Sequence, residues 1–122
     1  MNFNYTKPTV QMLGRFQPWH EGHTELFKKA LEKTGQVAIL IRHMSVDKNN
    51  PYTSGQVGEM IQLALTQESF VYNQDYIIIN MPNITNITYG RDVGYTITKE
   101  TLSKEIESIS ATKIRNSLDG KN

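Results

Sequence analysis

The chain has 122 residues, a net charge of +1, 13 basic against 12 acidic side chains, three histidines and no cysteine. That length supports one domain, residues 1–122, with one hydrophobic core, and the absence of any basic run argues against a nucleic-acid partner. Without cysteine there are no disulfides or thiolate metal sites, and without a long apolar stretch or signal-like leader the expectation is a cytoplasmic protein with no membrane partner.

Taken in chain order, Val10–Leu13 reads as a strand that breaks at Gly14. The pattern restarts with Leu26, Phe27, Ala30 and Leu31 at helical spacing. Between them lies Gly14-Arg15-Phe16-Gln17-Pro18-Trp19-His20-Glu21-Gly22-His23, which places two histidines in or just before the first turn of the helix. Free N–H groups and the positive end of the helix dipole make such a joint attractive to an anion. Gly22 removes a side chain there, so a polyphosphate can approach the backbone. His20 and His23, three positions apart, are expected to project from one side as donors. One further histidine, His43, leaves too few ligands for a structural zinc site, and no metal site is expected.

Val37–Ile41 is a nearly continuous apolar run expected as a second strand buried on both faces. Arg42 and His43 then fall at the carboxyl edge of the sheet, where ligands bind in open α/β folds, and are candidates for holding an acceptor. Thr53–Gln67 reads as a helix, with Val57, Met60, Ile61, Ala64 and Leu65 on one face and Thr53 and Gln56 spaced as a capping box. A third strand is expected at Tyr76–Ile79 and a fourth at Asn86–Tyr89. The few residues between them leave no room for a crossover helix. Residues 45–52 and 90–96 are the loops expected to carry function. Arg91 and Asp92 in the second suit a ribose or a phosphate as readily as a solvated turn. Near the end, Ser110 reads as the N-cap of a short helix, with Ile109 and Ile114 placed as a hydrophobic staple. Ser110, Thr112, Lys113 and Arg115 gather hydroxyls and cations at a second helix start, which suits phosphate. The alternation of strands and helices predicts a mostly parallel α/β sheet of four to five strands.

These residues carry a resemblance. GRFQPWHEGH and ISATKIR resemble the paired motifs of the cytidylyltransferase-like nucleotidyltransferase superfamily. The first motif, with Asn50-Pro51-Tyr52-Thr53-Ser54-Gly55 and Glu59-Met60-Ile61, is most similar to the archaeal type of nicotinamide mononucleotide adenylyltransferase. The resemblance implies a small three-layer Rossmann-like fold of the HUP type, from which the short spacing after strand three departs by abbreviating that crossover. It implies transfer of AMP or CMP from a nucleoside triphosphate, accompanied by Mg2+, to a small phosphorylated acceptor, with pyrophosphate leaving. Under it, His20, His23 and Arg115 are the catalytic groups. Gly14, Arg15, Phe16, Gly22, Arg91, Asp92, Ser110, Thr112 and Lys113 bind nucleotide, and Arg42 and His43 bind the acceptor. A homo-oligomer is expected.

The first motif points to adenine and ISATKIR to the cytidylyl branch. Gln56 and Val57 stand where the family usually has a Glu-Arg pair. Two alternatives stay open: a nucleotide-binding module without transferase activity, and the first domain of a longer ancestral enzyme now acting alone.

Overall fold

The computed structural model describes residues 2–92, 94–100 and 102. Five elements alternate along the chain: β1 (Val10–Gly14), α1 (Glu21–Thr34), β2 (Val37–Arg42), α2 (Ser54–Gln67) and β3 (Tyr76–Met81). The strands are parallel in the order β1-β2-β3, with Val10 opposite Val37 and Val37 opposite Tyr76, so two helical crossovers build one sheet. This is the expected Rossmann-like α/β arrangement.

Side-chain alternation puts Met12, Ile39 and Ile78 in one row across the strands and Val10, Val37 and Tyr76 in the next. Both helices cover that face. Phe27 and Ala30 from α1 and Val57, Ile61 and Leu65 from α2 share one core cluster with Met12, Val37, Ile39, Ile41 and Tyr76. Each helix is closed by local chemistry. α1 ends at Gly35, whose φ of 82° is left-handed, letting its N–H reach the Leu31 carbonyl at 2.7 Å. α2 opens with the expected capping box: the Thr53 hydroxyl accepts from the Gln56 N–H, and the Gln56 side chain accepts from the Thr53 N–H at 2.9 Å. No described helix is long and apolar enough to cross a membrane.

Both helices run back toward the edge where the strands begin, so the carboxyl edge collects the strand ends and the two helix starts. At the opposite edge Gln36, buried, takes the Asn4 N–H on its Oε1 and donates its Nε2 to the Asn4 carbonyl and the Thr9 hydroxyl. This ties the leading segment down beside β1.

The fourth strand expected at Asn86–Tyr89 does not form among the described residues. Ile87 and Tyr89 are two apart, as one face of a strand requires, but both lie exposed, as do Asn86 and Thr88, so that face is buried against nothing among the described residues. No helix follows β3 among the described residues either, as the short spacing requires.

Tyr76 is fully buried, against Phe27 at 5.7 Å and Tyr72 at 5.5 Å between ring centroids, and its hydroxyl has no hydrogen-bond partner among the described residues. Burial pushes its pKa up to about 12. An unpaired buried hydroxyl is a burden on the fold. Tyr76→Phe is therefore expected to be as stable as the parent or more stable by up to about 1 kcal/mol in urea unfolding; a clear loss would mean that the hydroxyl is satisfied.

Candidate functional site

The site is built on the turn from β1 into α1. Gly14 ends the strand with no side chain because the Phe16 ring lies over it: a Cβ there would sit 2.8 Å from two ring carbons. Phe16 reaches that position from a left-handed backbone with φ of 51°, a conformation that costs a non-glycine residue about 1 kcal/mol. Its buried ring packs at 5.0 Å against Trp19 and edge-on at 5.0 Å against His23. The Trp19 indole donates to the Thr24 hydroxyl at 2.9 Å, fixing the far side of the stack. The resemblance put Phe16 among the residues that bind nucleotide. Only 5% exposed, its ring supports the histidines from inside.

His20 is the N-cap of α1, and His23 is the third residue of the helix. Each imidazole caps the other's end of the turn. The Gly22 N–H donates to His20 Nδ1 at 3.0 Å, and the His20 N–H donates to His23 Nδ1 at 3.0 Å. The rings stack 3.9 Å apart at 28°. Of the amides expected to meet an anion, those of Gly22 and His23 are therefore engaged within the protein, since the His23 N–H also bonds the His20 carbonyl at 2.9 Å, which leaves that of Glu21. What the turn offers besides is side-chain donors.

A nitrogen that accepts from a backbone N–H carries no proton, so each neutral ring must hold its hydrogen on Nε2. Charging either ring is disfavoured: burial lowers the pKa of both, and burial followed by repulsion from His20 takes His23 to about 3. At neutral pH the turn presents two uncharged, Nε2-protonated donors in parallel. Such a pair suits phosphate oxygens and is a poor metal ligand set, because the coordinating lone pairs on Nδ1 are taken.

A second loop closes against this one. The Gln17 side chain donates to the Tyr52 carbonyl at 2.9 Å and accepts from the Tyr52 N–H at 3.0 Å, a two-point clasp between residues 35 apart in sequence. Arg15 donates to Asn50 Oδ1 at 3.5 Å. Gln17, Trp19 and Asn50 were not singled out from the sequence. A lone glutamine or asparagine in a loop carries no periodic signal, and its partner lies across the fold.

Of the other candidates, Arg42 ends β2 with its Nε 2.6 Å from Asn83 Oδ1, and the His43 N–H extends the ladder to the Met81 carbonyl. Gly14 pairs with Ile41 in register, so Arg15 and Arg42 follow one another on adjacent strand ends. Neither forms an ion pair among the described residues. Arg91 and Asp92 lie exposed, and Asp92 lines a separate shallow cavity of about 160 Å3 with Tyr89, Tyr95 and Ile97. Ser110, Thr112, Lys113 and Arg115 lie outside the described residues.

A family model described as cytidylyltransferase-like matches residues 12–101. Among curated proteins the chain is similar to the nicotinamide-nucleotide adenylyltransferase of Saccharolobus solfataricus, with 38% identity over 73 residues, 58% of this chain and 42% of that one. It is similar to the enzyme of the same name from Picrophilus torridus at 36% identity, covering 62% of this chain and 44% of the relative. The corresponding Thermoplasma acidophilum protein is 32% identical over 62% of this chain and 43% of its own length. The chain thus spans less than half the length of these relatives.

The neutral histidines set a pH dependence for stability. Their unfolded pKa is about 6.5 and their folded values are lower, so below that point the unfolded chain takes up protons that the folded one refuses. Stability is expected to be full above pH ~6.5 and to fall with decreasing pH, by at most about 1.4 kcal/mol per unit for each such ring. Urea unfolding between pH 7 and 5 measures this slope, and His23→Asn, which keeps an acceptor for the His20 N–H, should flatten it. A slope unchanged in that variant would contradict the neutral assignment.

Proposed function

The chain belongs to the cytidylyltransferase-like family, and from that premise we propose that it is a nucleotidyltransferase that moves an adenylyl group from ATP to a nicotinamide nucleotide. The names of the similar archaeal proteins supply the base and the acceptor. The observation that carries the reading is the stacked histidine pair whose Nδ1 atoms accept backbone N–H groups, which leaves the Nε2 atoms, without a partner among the described residues, to donate.

The chemistry needs no covalent intermediate. An oxygen of the acceptor's phosphate attacks the α-phosphorus, the bond to the bridging β-phosphate oxygen breaks, and pyrophosphate leaves with the electron pair. The acceptor phosphate loses its second proton near pH 6, so no general base is required. The protein then has to align the reactants and stabilise charge on the α-phosphate and leaving group. His20 and His23 do this as neutral donors. Gly14 and Gly22 keep the turn narrow beneath the ligand, and Arg15 takes a phosphate from the strand end. Arg42 and His43 face the acceptor, while Arg91 and Asp92 serve the nucleotide side. A divalent ion, magnesium in our reading, enters with the triphosphate as part of the substrate, since the histidine turn offers donors and no lone pairs to hold one.

The β- and γ-phosphates fall to Ser110, Thr112, Lys113 and Arg115 in this reading.

One observation favours a second reading, a nucleotide-binding module without transfer. Where the family usually carries a Glu-Arg pair, Gln56 is engaged in the α2 cap and Val57 is wholly buried in the core, so no cation is presented from that turn. Incubation with ATP or CTP, magnesium and nicotinamide mononucleotide separates the two. Pyrophosphate should be released with ATP, and His23→Ala should lower the rate by about two orders of magnitude or more. Nucleotide binding with no turnover would establish the module instead, and an unchanged rate in His23→Ala would refute the role of the imidazole.

A further inference from the structure

The loop after β2 contains a polar side chain where loops rarely bury one. Asn50 is only 4% exposed, while Ser45 to Asn49 before it are all exposed. Its surroundings fix it on every side. Asp47 Oδ1 accepts from the Asn50 N–H at 2.8 Å, from the Asn50 Nδ2 at 3.1 Å and from the Asn49 N–H at 2.8 Å. The Asp47 N–H in turn donates to the Asn50 carbonyl at 3.0 Å. Because Nδ2 is given to a carboxylate, the carboxamide cannot turn over, and Oδ1 is the atom left facing Arg15 Nη1 at 3.5 Å. The Gln17–Tyr52 clasp, two residues further along on each side, holds this loop against the β1 end independently.

We infer that Asn50 is a positioning residue that, locked by Asp47, aims the Arg15 guanidinium at a phosphate group of the ligand bound over the histidine turn. Arg15 is exposed and forms no ion pair among the described residues, and Asn50 engages one of its five N–H donors, so the others stay available to the ligand. A flexible arginine loses much of its phosphate affinity to rotamer freedom, and a neutral acceptor restrains it without competing for its charge. Asp47 is set one layer back, where its carboxylate orients the amide. The assignment rests on the phosphate-binding reading of the turn and not on turnover.

The test is a double-mutant cycle read as binding, by calorimetry, of inorganic triphosphate in one arm and nicotinamide mononucleotide in the other. Asn50→Ala should weaken one of these ligands by about fivefold to tenfold, an effect the size of one oriented charge-assisted hydrogen bond. The arm that weakens identifies the phosphate. In an Arg15→Ala background the same substitution should change nothing further, because Asn50 acts through the arginine. Asp47→Ala, at an exposed position, should reproduce the loss if Asn50→Ala does not fold. Undiminished affinity in both arms, or an equal loss with and without Arg15, overturns the inference. Because binding is the readout, an enzyme that fails to transfer can still pass this test, and an active one can fail it.

Discussion

The arrangement at the start of α1 rests on one reciprocal interaction: His20 caps the helix with its Nδ1, and His23 returns the favour to the His20 backbone with its own. A serine or aspartate with a glutamate would close this turn more cheaply. The histidine version does something they cannot. By using both Nδ1 atoms as acceptors it fixes the tautomer and ring plane of each imidazole, and it does so in the few residues where the chain passes from sheet to helix. Backbone geometry thereby dictates which proton a ligand meets.

Everything beneath the pair holds those planes in place. Gly14 gives way to the Phe16 ring, Phe16 abuts Trp19 and His23, and Trp19 is pinned to Thr24. The strained left-handed backbone at Phe16 is tolerated because three rings and a strand end determine it. Burial then lowers the pKa of both histidines, so a turn that the helix dipole makes attractive to anions is kept free of positive charge. Arg15 and Arg42 bring positive charge to this edge from the strand ends, each bonded to the side-chain oxygen of an asparagine.

Much of this was legible in the sequence. The runs Val10–Leu13 and Val37–Ile41 and the period of Val57, Ile61 and Leu65 reported the local pairings that burial enforces, and the Thr53–Gln56 box is self-contained within one turn. The placement of the paired histidines at the start of α1 was legible because both lie in a single strand-to-helix joint. Three features were not. The tautomers depend on which amide each ring accepts from, the support role of Phe16 depends on a left-handed backbone, and the Asp47–Asn50–Arg15 chain joins residues 35 apart. The segment 86–89 misled because Ile87 and Tyr89 alternate as a strand's side chains do, while both stay exposed and the segment pairs with no strand among the described residues.

Two neutral imidazoles, each protonated on Nε2, form the working surface of the turn. Long-range 1H–15N correlation spectra of 15N-labelled histidine side chains read protonation and tautomer directly. At pH 7 His20 and His23 should both show the Nε2–H form with an unprotonated Nδ1, and His23 should stay so as the pH is lowered through the usual histidine range. An Nδ1–H tautomer or a doubly protonated ring at either position at pH 7 would contradict this assignment.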